Sequence, residues 1–299
     1  MIVCLFSTFS LTASSFFIIL IITVGERFLM EKLDKIQALI AGDGELPVHV
    51  ARMAAREGYD VICISLCHKN RDSLHKYCKK VYAFGPGEIL KILETLKNEK
   101  ARQLTFIGKV SKEILLRNPK LDKKALEMLK QAKKLNDDAV MMILVEELED
   151  NNIKVLDQTL FIKELLVQKG VLSKLEPTEE QKADIDFGFK MAKEIGRLDI
   201  GQTVVVQNKM VVAVEAIEGT DKAIERGSRL SKKPTTVVKV SKPAQDKRFD
   251  IPTVGLRTLK TMKRYGANVL ALEAGETFIV EEDKVINFAN KNNMVVVAV

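Results

Sequence analysis

Residues 211–255 read VVAVEAIEGTDKAIERGSRLSKKPTTVVKVSKPAQDKRFDIPTVG and hold two short Val-rich runs, each followed by a charged loop. The first run, 210–216, leads into Glu218-Gly219-Thr220-Asp221, and the second run, 235–240, leads into KPAQDKRFD at 242–250. Short apolar runs bounded by turn residues are typical of buried strands in an α/β sheet. Because ligands bind beyond the carboxyl ends of such strands, we expect the two strands to be neighbours whose loops face each other across one pocket.

The two loops combine carboxylates with cations. The carboxylates are Glu218, Asp221, Asp246 and Asp250, and the cations near them in sequence are Lys222, Arg226, Lys242 and Arg248. Carboxylates suit Mg²⁺, which keeps water molecules and can serve a phosphate substrate, whereas cations suit the phosphate oxygens themselves. The mixture therefore favours metal-assisted hydrolysis or transfer at a phosphate. The alternative is a pair of solvated turns joined by surface ion pairs, which need no function.

Composition excludes several classes of protein. The chain has 299 residues, of which 46% are hydrophobic and 29% charged, so it is globular and long enough for two domains. Its formal charge of +7 suits an anionic partner. Only 6% of residues are aromatic and there is no Trp, which argues against stacking of single-stranded nucleic acid, although a groove of Lys and Arg stays open. We expect no nucleic-acid partner.

Four cysteines are too few for a secreted disulfide framework. Three of them fall close to two histidines, which raises a zinc site as an alternative. These residues are Cys63, Cys67, Cys78, His68 and His75. No CxxC pair occurs among them and Cys63 lies within an apolar run, so free thiols in a reducing cytosol are favoured. The histidines are also far in sequence from the charged loops, which disfavours a nucleophile activated by His.

Residues 1–29 differ from the rest of the chain. They are uncharged up to Gly25, and the apolar part is long enough to cross a bilayer, yet the basic start of a signal peptide is missing. Two interpretations compete: a membrane anchor, or an upstream extension of the reading frame before Met30. We favour the extension.

The amino-terminal half opens with a β-α-β pattern. A strand at 36–41 leads into GDGELP at 42–47, then a helix, then a strand at 59–66, which predicts a Rossmann-like unit. Pro47 stands where a third glycine is usual, and no acidic residue follows the second strand, so the dinucleotide signal is weak. Gly42 and Gly44 fit either a tight turn or contact with a mononucleotide or sugar nucleotide.

The pattern predicts an α/β fold of two α/β domains joined by a linker. We place a Rossmann-like domain at 30–170, the linker at 171–177 and a catalytic domain at 178–299. The Lys-rich segment 111–135 has helical spacing, and a short helix is expected at 160–168. The second half begins with a helix from Thr178, whose capping box is completed by Gln181.

Five motifs resemble those of the LpxI family of UDP-2,3-diacylglucosamine pyrophosphatases. They are GDGELP at 42–47, DIGQTVVV at 199–206, AVEAIEGTD at 213–221, KPAQDKRFD at 242–250 and IPTVG at 251–255. The motifs of the carboxyl half are highly specific, and the resemblance extends from about Ile36 to the carboxyl end. Ala244 replaces a glycine that is more frequent in the family, a change that affects local loop geometry.

The resemblance implies an enzyme of lipid A synthesis, cytoplasmic or peripheral to the inner membrane. Such an enzyme splits UDP-2,3-diacylglucosamine into UMP and 2,3-diacylglucosamine 1-phosphate with Mg²⁺. It also implies a homodimer that exchanges domains and contacts the membrane peripherally, and an essential acidic residue in the carboxyl domain. A non-catalytic sensor of UDP-sugars or lipids is the alternative function.

Each candidate residue has an expected role under this interpretation. The catalytic candidates are Asp246 first, then Asp221 and Asp250; the Mg²⁺ ligands are Asp246, Asp221 and Glu218; the substrate-binding residues are Gly42, Gly44, Thr220, Lys242, Gln245 and Arg248. We expect the acids to hold Mg²⁺ across the pyrophosphate while Lys242 and Arg248 bind its oxygens.

Overall fold

The computed structural model describes residues 35–110, 120–131, 137–243 and 245–299. The described residues divide into two compact units: those within 35–41, 54–104 and 110–155 form the first unit, and those within 42–53, 105–109 and 156–299 form the second. The predicted extension at 1–29 and much of the Lys-rich segment at 111–135 lie outside the described residues. Across the described ranges, no helix is both long enough and apolar enough to span a bilayer.

A five-stranded sheet characterises the amino-terminal half. Its strands are β1 (Ile36–Ala41), β2 (Asp60–Ser65), β3 (Lys80–Ala83), β4 (Gln103–Ile107) and β5 (Lys154–Val155). They lie in the order β3-β2-β1-β4-β5, and β2 pairs in parallel with both β1 and β3. The helices between them are α1 (Leu46–Arg56), α2 (Arg71–Leu74), α3 (Ile89–Asn98), α4 (Lys123–Gln131) and α5 (Asp137–Asp150). This order is that of a doubly wound α/β sheet, and the predicted α/β class is confirmed.

The cysteines of the described residues are free thiols. Cys63 is fully buried on β2, and a hydrogen bond to Cys78 together with burial raises the pKa of its thiol far above the ordinary range. No group of three or more His, Cys, Asp or Glu that could hold a metal ion occurs in the described part of the chain. The Cys63 thiol therefore remains protonated, and no described cluster supports the zinc alternative.

The second unit contains a six-stranded sheet in the order β6-β13-β11-β9-β7-β8. Its strands are β6 (Gly170–Val171), β7 (Thr203–Gln207), β8 (Met210–Val214), β9 (Thr235–Lys239), β11 (Ala267–Leu272) and β13 (Val295–Ala298). β11 pairs in parallel with β9 and β13, whereas β7 is antiparallel to both β8 and β9. A small parallel pair, β10 (Thr253–Val254) with β12 (Phe278–Ile279), lies outside this sheet.

The α-helices among the described residues after 156 are α6 (Glu179–Arg197), α7 (Thr220–Leu230), α8 (Leu256–Tyr265) and α9 (Glu282–Lys291). The predicted capping box of α6 is confirmed, since Thr178 Oγ1 accepts from the Gln181 backbone and the Gln181 side chain accepts from the Thr178 backbone. Gly266, with φ of 91°, ends α8 in the left-handed conformation.

Two sequence predictions are wrong in detail. β8 and β9 are not neighbours, because β7 of the β7–β8 hairpin lies between them. The predicted helix at 160–168 is reduced to a single 3-10 turn at Lys163–Leu165. The predicted linker bounds remain a prediction; its first residue, Val171, belongs to β6, which pairs antiparallel with β13 at the sheet edge. The order of β7, β8 and β9 shows that pairing in the sheet does not follow from the local pattern.

Candidate active site

The loop after β9 is organised around Asp250. Oδ2 of this carboxylate accepts hydrogen bonds from Gln245 Nε2 at 2.8 Å and from Gln202 Nε2 at 3.2 Å, and Lys242 Nζ lies 3.6 Å away. Oδ1 has no protein partner among the described residues. Two amides therefore fix the orientation of the carboxylate and leave one of its oxygens available to water or substrate.

Asp246 is held differently, by Arg248. The guanidinium donates from Nε to Oδ1 at 3.0 Å and from Nη2 to Oδ2 at 2.7 Å, and the Arg248 backbone N–H donates to Oδ1 at 2.9 Å. These hydrogen bonds to Arg248 hold the pKa of Asp246 below its usual range. Asp246 is therefore ionised and already paired with Arg248. By accepting a hydrogen bond from the Arg248 backbone N–H, it also stabilises the turn of the loop.

Lys242 and Gln245 close the same loop. Lys242 Nζ donates to Asp199 Oδ1 at 2.7 Å, and Gln245 Oε1 accepts from the Lys242 backbone at 3.0 Å. The Gln245 side chain thus joins the start of the loop to Asp250 at its end. This arrangement brings three predicted site residues together, namely Lys242, Gln245 and Asp250.

A cleft of about 300 Å³ lies beside this loop. Its lining residues are Lys193, Ser241, Lys242, Pro243, Gln245, Lys247, Glu273 and Glu276. Lys193 pairs with Glu273 at 2.8 Å, and Lys247 pairs with Glu276 at 2.8 Å. Three ammonium groups against two carboxylates give the lining a positive balance, which suits a small anionic group such as a phosphate.

Gln158 supports the loop from behind and was not anticipated from the sequence. It is buried (6% exposed); Nε2 donates to Phe106 O at 2.8 Å, and Oε1 accepts from the Ile251 backbone at 3.2 Å. Its own backbone N–H donates to Lys247 O at 2.9 Å. A lone Gln in a polar stretch carries no signal of such a role. Gln202, by contrast, lies within the quoted motif DIGQTVVV and could have been chosen from it.

The glycine loop after β1 is explained partly by packing. The Gly42 N–H donates to Ile107 O at 2.8 Å, and a Cβ at Gly42 would lie 2.7 Å from Lys109 O. A tight backbone crossing therefore requires glycine there. Gly44 has φ of 105° and no atom within 4 Å of a Cβ position, so its open side is available to a ligand. The structure thus supports the tight turn at Gly42 and leaves ligand contact open at Gly44.

The acidic residues of the loop after β8 pair with arginines outside the loop that follows β9. Glu218 Oε1 pairs with Arg226 Nη2 at 2.6 Å, which lowers the pKa of Glu218, and Asp221 Oδ2 pairs with Arg257 Nε at 2.7 Å. The Thr220 hydroxyl bonds to Glu215 and Lys239. This loop borders a separate cleft of about 910 Å³, lined by Ala216, Glu218, Lys222, Glu225, Arg226, Arg229 and Leu230. The carboxylates of the two loops border different clefts, so they do not face one shared pocket as expected, although Thr220 after β8 contacts Lys239 at the end of β9.

The predicted Mg²⁺ ligands do not form a common cage. Asp246, Asp221 and Glu218 each pair with a different arginine. The described residues also contain no group of three or more potential ligands of this kind. Because Mg²⁺ is often bound by substrate phosphates and water with few carboxylates, the residues fit a cation carried by the substrate better than a preformed protein site.

Comparison with known proteins identifies the family. Residues 37–165 match the model of the LpxI N-terminal domain, and residues 168–297 match that of the LpxI C-terminal domain. The chain is 33% identical over 271 residues to UDP-2,3-diacylglucosamine pyrophosphatase LpxI of Caulobacter vibrioides, covering 87% of this chain and 96% of that protein. A crystal structure of the ADP complex of N5-carboxyaminoimidazole ribonucleotide synthetase aligns with 70% of this chain and 41% of the synthetase chain, at 15% sequence identity. Its TM-score of 0.27 is too low to inform the fold. The two domain matches and the curated relative together show that this chain belongs to the LpxI family.

Proposed function

We propose that this chain hydrolyses the pyrophosphate bond of UDP-2,3-diacylglucosamine to UMP and 2,3-diacylglucosamine 1-phosphate, a step of lipid A synthesis. Membership of the LpxI family and the name of the curated relative support the substrate. The observation that carries the chemistry is Asp250, whose Oδ2 is fixed by two amides beside a lysine-lined cleft. That geometry suits a carboxylate that orients a water molecule.

The residues of the loop divide the work of hydrolysis. Asp250 Oδ1 accepts a hydrogen bond from the attacking water and directs its oxygen at a phosphorus of the pyrophosphate. The water oxygen forms a new P–O bond as the P–O bond to the bridging oxygen breaks; the bridging oxygen leaves as part of the second phosphate, and the proton lost by the water passes through Asp250 Oδ1 to solvent. Lys242 and its neighbours in the cleft stabilise the charge that develops on the phosphate oxygens. Arg248 remains paired with Asp246 and keeps the loop in shape.

We also propose that hydrolysis depends on Mg²⁺ bound mainly through the substrate's phosphate oxygens. When bound, the cation supplies neutralisation of those oxygens. The predicted catalytic and metal-binding roles of Asp246, Asp221 and Glu218 become secondary here, because an arginine already pairs with each carboxylate. The acylated substrate favours peripheral contact with the cytoplasmic face of the inner membrane, and a homodimer remains our expectation.

The test is incubation of the full chain with UDP-2,3-diacylglucosamine and Mg²⁺, followed by chromatography for UMP. A parallel sample contains EDTA. We expect UMP to accumulate with Mg²⁺ and to be abolished by EDTA. Binding of the substrate without release of UMP would instead identify a sensor of UDP-sugars or lipids. UMP formation that is unaffected by EDTA would refute the metal dependence alone.

A further inference from the structure

Lys239 is a buried cation at the carboxyl end of β9. It is 8% exposed, and among the described residues its ammonium donates one hydrogen bond, to Thr220 Oγ1 at 2.7 Å. No carboxylate of the described residues forms an ion pair with it. Burying an ammonium is costly unless it is paired, and it has three N–H donors to satisfy. Lys239 is the only charged residue of the run 235–240.

The hydrogen-bond chain continues beyond Thr220. The Thr220 hydroxyl donates to Glu215 Oε1 at 2.8 Å. The other oxygen of this carboxylate, Oε2, is buried and has no partner in the described part of the chain. Lys239 at the end of β9, Thr220 at the start of α7 and Glu215 just after β8 therefore form one hydrogen-bonded cluster. Among the described residues, the ammonium at one end lacks further acceptors, and the carboxylate at the other end lacks a donor for Oε2.

The missing partners define a ligand. Lys239 lacks an acceptor, preferably an anionic one, and Glu215 Oε2 lacks a donor. Buried polar groups in native proteins are nearly always hydrogen-bonded, so an unsatisfied pair of this kind calls for a partner that is absent from the chain itself. A sugar phosphate or nucleotide offers both, since an anionic phosphate oxygen lies close to a hydroxyl donor. Charge-assisted bonds to such a phosphate are the strong ones.

We propose that Glu215, Thr220 and Lys239 form a binding position for a phosphate group and a neighbouring hydroxyl of the substrate. Lys239 binds the phosphate oxygen, Thr220 orients the ammonium, and Glu215 accepts from the hydroxyl. Thr220 was predicted to bind substrate, whereas Glu215 and Lys239 were not. The inference rests on the proposed function for the identity of the ligand. It adds a second anion position, distinct in its residues from the cleft beside Lys242.

The experiment measures the affinity of the full chain for three soluble probes by calorimetry: UMP, glucosamine 1-phosphate and uridine. The two phosphates distinguish the nucleotide side of the substrate from its sugar side, and uridine reports contacts that need no phosphate. The variant is Lys239→Met. Its matched control is Lys232→Met, which removes a charge from an exposed residue just before the same strand.

We expect Lys239→Met to weaken binding of one of the two phosphates about tenfold or more, with uridine affinity and the Lys232→Met control unchanged. The phosphate that is affected identifies the half of the substrate bound here. Equal affinities of the parent and Lys239→Met for both phosphates would overturn the inference, as would failure of the parent chain to bind either. Release of UMP from UDP-2,3-diacylglucosamine is scored separately, so loss of the proposed activity would not be mistaken for loss of this site.

A second pair of variants guards against misfolding of Lys239→Met. Thr220→Val preserves the shape of the side chain without its hydroxyl, and Thr220→Ser retains the hydroxyl. We expect Thr220→Val to lower the affinity for the same phosphate severalfold, whereas Thr220→Ser should retain most of the parent affinity. A purely structural role predicts equal phosphate affinity for the two variants, and that result would contradict the inference.

Discussion

At the scale of single residues, the carboxylate of Asp250 depends on the amides that hold it. Gln202 Nε2 donates to Oδ2 at 3.2 Å, and its own Oε1 is buried without a described partner. Gln202→Met removes this donor without adding charge. We expect kcat to fall about tenfold with KM nearly unchanged, because the water is less well oriented while substrate contacts persist. Steady-state kinetics of UMP release measures both constants.

The control for that prediction is Gln207→Met, at the opposite end of β7. Gln207 donates to Lys233 O, away from the candidate loop, and its replacement should leave both constants unchanged. A rise in KM without a fall in kcat for Gln202→Met would assign Gln202 to substrate binding and contradict the positioning role.

The Asp246–Arg248 pair predicts a pH-dependent contribution to stability. Arg248 lowers the pKa of Asp246, so the pair stabilises the fold fully above the ordinary aspartate pKa of about 3.9 and loses this contribution as the pH falls through the lowered value. For Arg248→Met we expect a free energy of unfolding lower by about 1–2 kcal/mol at pH 7, with the difference shrinking below pH 4. Denaturant unfolding across this range measures the difference.

Arg197→Met is the matched control for this pH series. Arg197 pairs with Glu194 one turn away on α6, and both side chains are about 60% exposed. Exposed pairs of this type contribute little, so the control should unfold like the parent at every pH. A constant difference between Arg248→Met and the parent from pH 7 to pH 3 would show that Arg248 stabilises by packing and not through Asp246.

At the scale of elements, Gly188 determines how closely α6 approaches the six-stranded sheet. A Cβ at this position would lie 2.6 Å from Val238 Cγ2 and 3.0 Å from Val206 Cγ2, both on buried strands. Gly188→Ala should therefore destabilise the protein by about 1–3 kcal/mol, although alanine favours a helix by about 1 kcal/mol. Combining it with Val238→Ala, which vacates the space, should reduce its cost. An equal cost in both backgrounds would show that the contact does not limit the approach.

The elements themselves were largely predictable, whereas their neighbours in space were not. Strands such as β1 and β9 follow from short Val- and Ile-rich runs, and α6 follows from its Thr178 capping box. Pairing between distant segments leaves no periodic trace, which is why β6 was not predicted as a strand. For the same reason, the insertion of β7 between β8 and β9 could not be read from a local pattern.

At the scale of the whole molecule, the family and the chemical class of the site follow from sequence motifs, but the ranking of the acids does not. From the sequence we expect Asp246 ahead of Asp221 and Asp250. The structure pairs the first two with arginines and holds Asp250 by two amides. Ion pairing of this kind depends on tertiary contacts, as does the buried Gln158 behind the loop. Those contacts move our expectation for the catalytic carboxylate from Asp246 to Asp250.

The most direct measurement compares turnover and substrate binding in the full chain carrying Asp250→Asn, which preserves shape and removes charge. We predict that UMP release from UDP-2,3-diacylglucosamine falls at least a hundredfold while substrate affinity stays within a few-fold of the parent. Asp246→Asn, measured alongside, should lose less activity and more stability. Turnover by Asp250→Asn within a few-fold of the parent would contradict the assignment of Asp250 as the carboxylate that orients the attacking water.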